Sequence, residues 1–252
     1  MPSNADRELA GSCAVVTGSS SGIGQTIAIR FAKEGAKVVA NYHVNKAGGQ
    51  ATLAKLKEIT EDCLLVQADV SKPKDVKRLF QTVLKKFSRV DILVNNAAMG
   101  TDKHPYMQAS YDDMKEMIDA NVTSVLLCSQ QAAKIMEKQG GGKILNTSSI
   151  RGWEHGGRAP VYAATKAAVN SFTRTFAKQA APKIQVNAVA PGFVKTRSYD
   201  NMTPDMLDGF IQQTYLKRWV TEDEIADAFI FFAQNDAITG QVLYVDAGFT
   251  LK

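Results

Sequence analysis

Cys13-Ala14-Val15-Val16-Thr17-Gly18-Ser19-Ser20-Ser21-Gly22-Ile23-Gly24-Gln25-Thr26-Ile27-Ala28-Ile29-Arg30-Phe31-Ala32 reads as a buried strand, a glycine-rich turn and an amphipathic helix. The strand is an apolar, β-branched run, and Ile23, Ile27 and Phe31 recur every four residues as one helix face. Glycines at 18, 22 and 24 let the turn take backbone angles closed to other residues and let a ligand come close to the main chain. The helix that follows offers free N–H groups and partial positive charge at its start, which suits a phosphate. The spacing is Gly-x-x-x-Gly-x-Gly, not the more common dinucleotide pattern Gly-x-Gly-x-x-Gly. By itself it fits either a pyrophosphate cradle or a structural turn.

Outward from this stretch the same rhythm repeats. Gly35 ends the first helix, and Lys37-Val38-Val39-Ala40-Asn41-Tyr42 forms a second strand. The periodicity then predicts helices near 46–59, 72–87, 111–138, 160–180 and 221–233, and strands at 63–68, 91–95, 143–148, 184–190 and 241–245. Strands alternating with helices predict an α/β protein: a Rossmann-type, doubly wound sheet of seven mainly parallel strands with helices on both faces. No linker interrupts the series, since Gly140-Gly141-Gly142 leads straight into a strand, so residues 1–252 are expected to form one domain. Residues 195–218 break the rhythm after a strand end. They are expected to form a lid or pocket wall, with a plain packed helical pair as the alternative.

A chain of 252 residues with 45% hydrophobic and 22% charged residues is neither disordered nor fibrous, and it is long enough to need no disulfide or metal staple. Thirty Lys and Arg against twenty-five Asp and Glu give a net charge of +5, mildly favouring anionic partners. The basic run Lys72, Lys74, Lys77, Arg78, Lys85 and Lys86 is read as a solvated helix face and no nucleic acid is expected. Cys13, Cys63 and Cys128 are far apart, as are His43, His104 and His155, so reduced thiols, no metal site and a cytoplasmic location are expected. No segment reaches the ~18 apolar residues that span a bilayer, and no membrane partner is expected.

Two local features carry chemistry. The second strand ends Ala40-Asn41-Tyr42-His43, without the acid that would hold a ribose 2′-hydroxyl. Asn41, His43 and Lys46 stand available to a 2′-phosphate, which favours NADP(H) and leaves NAD(H) possible, although Ser21 adds no charge. Tyr162 and Lys166 lie at i and i+4 on one helix face. A cation ~5 Å from a phenol at an effective dielectric of ~20 favours phenolate by ~3 kcal/mol, which makes tyrosine usable in acid–base chemistry.

The order and spacing of these motifs, with Asn95-Asn96-Ala97-Ala98 after the fourth strand, Asn121, Ser148-Ser149, Tyr162/Lys166 and Pro191-Gly192, resemble the short-chain dehydrogenase/reductase family over residues 10–249. The resemblance is to the branch holding 3-oxoacyl-[acyl-carrier-protein] reductases and many carbonyl, sugar and steroid dehydrogenases. It implies that Tyr162 exchanges a proton with the substrate oxygen, that Lys166 lowers the Tyr162 pKa and binds the nicotinamide ribose, and that Ser149, with Ser148 the weaker candidate, hydrogen-bonds the substrate oxygen. Asn121 would hold a water relaying protons from Lys166. Gly18, Ser20, Ser21, Gly22, Ile23 and Gly24 would line the cofactor, with Asn41, Tyr42 and His43 at its ribose end. Asp69 and Val70 would meet adenine, Asn95 the adenosine ribose, and Pro191, Gly192 and Val194 the nicotinamide, with Thr196 reaching its carboxamide or the phosphate and Ala97 also binding the cofactor.

The resemblance also has departures. Ala98 stands where the family's usual motif has glycine, and Ala247 replaces glycine in the closing Val245-Asp246-Ala247-Gly248. Gly140 stands where a carrier-protein reductase would present an arginine, and Lys183 only approximates another. Trp153, Glu154, His155, Phe193 and Tyr199 are expected to border a small carbonyl or alcohol substrate. The expected activity is NADP(H)-dependent interconversion of a ketone and a secondary alcohol. The alternatives are a 3-oxoacyl-[acyl-carrier-protein] reductase, a sugar or polyol dehydrogenase, and a non-catalytic cofactor sensor. A homotetramer or homodimer is implied through the helices carrying Ala132, Ala133, Ala163, Ala167 and Ala168.

Overall fold

The computed structural model describes residues 9–153, 159–196 and 202–251. Its centre is β1 (Cys13–Val16), whose four residues are all buried, as a strand covered on both faces requires. Around it lie β2 (Lys37–Tyr42), β3 (Cys63–Gln67), β4 (Ile92–Asn95), β5 (Gly142–Thr147), β6 (Ile184–Pro191) and β7 (Val242–Val245). Their order is β3-β2-β1-β4-β5-β6-β7, and every pairing among the described residues is parallel.

Two apolar slabs sandwich the sheet. On one face α1 (Gly22–Lys33), α2 (Lys46–Lys57) and α8 (Glu222–Gln234) bury Ile27, Phe31, Leu56, Ile225 and Phe229. On the other, α3 (Pro73–Phe87), α5 (Ser124–Gln139) and α6 (Pro160–Ala180) bury Leu79, Phe80, Val83, Cys128, Met136 and Ala177. Full burial of each large side chain contributes roughly 1.5–3 kcal/mol, so the predicted Ile27/Phe31 face accounts for the docking of α1. The polar face of α3 holds the basic run, and Lys72, Lys74, Lys77, Arg78, Lys85 and Lys86 are all exposed.

Two boundaries differ from the sequence expectation. The long helix predicted over 111–138 divides into α4 (Tyr111–Ile118), a π turn over Asp119–Thr123, and α5. The irregular 195–218 segment contains α7 (Pro204–Ile211), capped by Thr203. Phe210 of α7 packs on Phe193 and Trp219, which supplies a physical wall. The carboxyl ends of β1 and β4 mark the place where the chain changes direction across the sheet, and α/β proteins bind ligands in the crevice there.

Candidate active site

A cleft of about 1340 Å³ opens at that switch point. Gly18, Ser20, Ser21, Gly22, Ile23 and Gly24 line it, with Ala97, Ala98, His43, Asp69, Val70 and Thr196 around the rest. Gly18 and Gly22 have φ of +62° and +57°, the left-handed region that favours glycine. A Cβ on Gly18 would stand 2.6 Å from Ala97 Cα, and one on Gly24 would meet Asn96 Nδ2 at 2.3 Å. The first turn of α1 carries no acid, and its N-cap Ser21 makes no side-chain cap bond. The turn thus presents backbone amides and the positive end of a helix, a donor set suited to a pyrophosphate.

The turn is fastened by polar side chains that sequence reasoning passed over. Thr17 Oγ1 accepts from the amides of Asn96 and Ala97, while Asn96 Nδ2 donates to the carbonyls of Thr17 and Gly18. Ser19, fully buried, donates from Oγ to Val16 O and accepts from Asn41 N. Their signal in sequence is only that small polar residues flank the glycines.

Three expected contacts have side chains bonded or packed within the protein, although Asn41 also lines the cleft. Asn41 is 1% exposed: its Oδ1 accepts from Gly18 N, and its Nδ2 donates to the carbonyls of Tyr42, Val66 and Ala68. It therefore ties the phosphate turn to β2 and β3 and has no polar atom left for a 2′-phosphate. The buried Tyr42 turns toward α2, where a Cβ on Gly49 would come within 2.8 Å of its ring. Asn95 donates inward, to Ser129 Oγ and Asn146 Oδ1. Lys46 opens α2 away from the cleft walls, whereas His43, Asn45 and Lys55 line them. Asp69 takes the N–H and hydroxyl of Ser71 and lies 3.9 Å from His43 Nε2.

The expected catalytic residues gather where β5, the loop after β4 and the first turns of α6 meet. Lys166 is 3% exposed, its Nζ donating to Thr147 O at 2.9 Å and standing 5.7 Å from the Tyr162 ring centroid. Burial pushes its ammonium down to about 8. A group with that value is still about nine-tenths protonated at pH 7 and acts on the phenol as a cation in a poorly solvated place.

The adjacent serines take different roles. Ser148 Oγ donates to Asn170 Oδ1 at 2.6 Å, which pins the strand end to α6. Among the described residues the Ser149 hydroxyl accepts from Arg151 N and donates to none, so its proton is free for a ligand. Gly152 permits this close packing, because a Cβ there would approach Lys166 O to 2.9 Å. Asn121 sits in the π turn and is 1% exposed. Its side chain accepts from Met99 N at 2.7 Å and donates to Met99 O and Thr165 Oγ1, so the expected water holder is, through its side chain, a clasp on the loop after β4.

Just past the carboxyl end of β6, Gly192 packs against Asp246, with a Cβ position 2.6 Å from its Cα. Val194 is buried and bridges to Val220, behind the wall instead of in the cleft. Pro191 closes β6. Phe193 is 5% exposed within a cluster of Phe210, Trp219 and Phe249, and so supports a pocket wall from behind, whereas Trp153 is 60% exposed. Glu154, His155 and Tyr199 lie outside the described residues. Ala98 is exposed on the cleft wall.

Comparison with known proteins agrees with this geometry. Residues 18–250 match the family model described as Enoyl-(Acyl carrier protein) reductase. A 3-oxoacyl-[acyl-carrier-protein] reductase of Synechocystis sp. is 38% identical over 242 residues, 94% of this chain and 96% of that protein. Glucose 1-dehydrogenase 2 of Bacillus subtilis is 35% identical over 251 residues, 97% of each. A crystal structure provisionally assigned to a gluconate dehydrogenase from Agrobacterium tumefaciens superposes with a TM-score of 0.91 at 30% identity, covering 96% of both chains. The chain belongs to the short-chain dehydrogenase/reductase family of NAD(P)-dependent oxidoreductases, in its branch resembling the 3-oxoacyl-[acyl-carrier-protein] reductases.

Proposed function

We propose that this protein interconverts a ketone and a secondary alcohol with NADP(H). The observation that carries the reading is the buried Lys166 ammonium 5.7 Å from the Tyr162 ring, together with a Ser149 hydroxyl, just past the end of β5, that has a proton to give. When bound, the dinucleotide supplies or accepts the hydride. Ser149 and Tyr162 then hold the substrate oxygen between two hydroxyl donors. During reduction Tyr162 Oη gives its proton to that oxygen as negative charge develops there, and Lys166 stabilises the phenolate left behind. In the reverse direction the same phenolate takes the alcohol proton. Tyr162→Phe is expected to abolish turnover while leaving cofactor binding intact; turnover near the wild-type rate would sink the mechanism.

NADP(H) is favoured over NAD(H) because β2 ends in Asn41-Tyr42-His43 with no acid, and His43, Asn45 and Lys55 line that end of the cleft. With Asn41 committed to the fold, His43 and Lys55 are the groups proposed to meet a 2′-phosphate. The ratio of kcat/KM for NADPH and NADH tests this, and an NADH preference would reject it.

A second reading, reduction of a 3-oxoacyl group on a carrier protein, is favoured by the names of the relatives at 36–38% identity. Acetoacetyl thioesters compared with free sugars and hydroxyketones, followed by NADPH absorbance, separate the two. Residues 195–218 are proposed to form the substrate-selecting wall of a single domain, a role supported by the packing of Phe210 on Phe193. A homotetramer or homodimer through α5 and α6 is supported by Leu126, 42% exposed, and by the accessible Ala163 and Ala167. Ala132 is fully buried against the core and takes no part. Light scattering showing a monomer would refute the assembly. The three buried, unpaired thiols support a reducing, cytoplasmic setting. No helix among the described residues is long and apolar enough to cross a membrane.

A further inference from the structure

α6 carries both Tyr162 and Lys166, yet it begins without a cap of its own. Its N-cap residue, Ala159, has left-handed backbone angles (φ 55°, ψ 58°), offers no side-chain acceptor, and is followed by no acid in the first turn. Pro160 has no N–H, so Val161 and Tyr162 carry the first two amides that need a partner. Both find it in one carboxylate from a distant loop: Asp102 Oδ2 accepts from Val161 N at 3.1 Å, and Oδ1 accepts from Tyr162 N at 2.9 Å.

The loop that carries Asp102 is itself held at two further points. The Asn121 side chain grips both the N–H and the C=O of Met99, and Lys103 pairs with Glu116 of α4. Asn121 also donates to Thr165 Oγ1, whose hydroxyl in turn donates to Tyr162 O at 2.7 Å. The turn of helix bearing Tyr162 is therefore clamped at its amide by Asp102 and at its carbonyl by Thr165.

We propose that Asp102 is a positioning residue for the reaction: as a cap supplied in trans from the loop after β4, it fixes the first turn of α6 and so the placement of the Tyr162 phenol. This rests on the acid–base role proposed for Tyr162. A local Ser or Asp at position 159 would satisfy the same amides. Recruiting the carboxylate from position 102 makes the geometry of Tyr162 depend on a loop whose other end forms the cleft wall at Ala97 and Ala98. The role differs from contact with substrate or cofactor, because Asp102 acts only through the backbone of the helix. It should therefore appear in kcat and leave cofactor affinity alone.

The test compares Asp102→Ala, Asp102→Asn and Lys103→Ala in the full chain, with Tyr162→Phe as reference. Asp102→Ala is expected to lower kcat about tenfold or more, with the KM for the nicotinamide cofactor unchanged, because a lost cap is comparable to a tenfold change in an equilibrium. Asp102→Asn keeps an acceptor oxygen and should return kcat to within about threefold of wild type. Lys103→Ala removes one tie on the loop but keeps the Asp102 carboxylate, and should lower kcat less than Asp102→Ala does. Hydrogen exchange at the amides of Val161 and Tyr162 reads the cap independently of turnover. It should accelerate in Asp102→Ala and stay slow in Asp102→Asn. Wild-type kcat and slow exchange in Asp102→Ala would overturn the proposal. So would an equal loss in Asp102→Ala and Asp102→Asn accompanied by a raised cofactor KM, which would indicate collapse of the cleft wall. If Tyr162→Phe were fully active, the acid–base reading would be the one to fall. If it were inactive while Asp102→Ala turned over normally, only the positioning role would fall.

Discussion

At the proposed phosphate corner, Thr17, Ser19, Asn41 and Asn96 direct their side chains almost wholly onto backbone groups, and among the described residues no charged side chain takes part in that wiring. At the proposed catalytic corner, side chains bond one another across elements, Asn121 of the π turn to Thr165 and Ser148 at the end of β5 to Asn170, and the buried Lys166 ammonium donates to the Thr147 carbonyl. The first corner is a matter of space and backbone angle: a Cβ on Gly18 or Gly24 would collide with main chain or with Asn96, and Gly22 holds a left-handed φ of +57°. The second is a matter of charge, since its tyrosine is useful only beside a cation held in a site that disfavours it. One corner should therefore fail sterically, losing affinity, and the other electrostatically, losing rate.

The sharpest way to break that contrast is Tyr162→Phe, for which kcat should fall by about a thousandfold, in the range typical of general acid–base groups, with unchanged cofactor binding by fluorescence titration. A comparable loss of affinity would show the corners to be one unit.

Lys166→Met comes next, with kcat expected to fall by about a hundredfold and stability moving the other way. In the fold the Lys166 ammonium lies at about 8 against an ordinary 10.5, so the native state binds this proton less well than the unfolded chain. Below pH 8 that mismatch costs stability of order 3 kcal/mol before the bond to Thr147 is counted, and the penalty fades as pH rises from about 8 toward 10.5. The Met variant should therefore melt above wild type at pH 7, with the gap shrinking as pH approaches 10. A lower Tm at pH 7 would count against the desolvated cation.

Gly18→Ala probes the other corner. With φ at +62° and Ala97 Cα 2.6 Å from the new methyl, it should cost about 1–3 kcal/mol of stability and raise cofactor KM about tenfold while kcat changes little. The smallest effect belongs outside both corners. Arg218 holds Glu224 with two bonds at the start of α8 and draws its carboxyl down to about 2. The pair is 48% and 36% exposed, so Arg218→Ala should cost no more than about 1 kcal/mol. What stability it gives is present above the usual carboxylate value and is lost as pH falls toward 2, so the variant should differ from wild type least in strong acid.

The contrast also explains how much was legible beforehand. The strand–helix alternation, the Ile27/Phe31 face and the parallel character of the sheet were readable because each depends on local periodicity or on the handedness of short crossovers. Among site residues, glycines and the Tyr162/Lys166 pair were readable because their spacing carries the geometry. The inward bonds of Asn41 and Asn95 were not legible because a polar residue at a strand end has the same sequence signature whether its side chain faces a ligand or the protein, and only the neighbouring strands decide. Asp102 left no signal at all, since its partners lie 59 and 60 residues away. The π turn was equally hidden, as Asp119-Ala120-Asn121-Val122-Thr123 continues a helical pattern without a break.

That turn also places a constraint on chain length. Each residue of an ordinary helix advances by roughly 100°, and a π turn absorbs one residue more than the α-helical path needs. A chain shortened by one residue between Asp119 and Thr123 could keep its helical amides paired and still swing Asn121 away from Met99 and Thr165. Between α4 and α5 the number of residues is as constrained as their identity, so a deletion there should be worse tolerated than most substitutions.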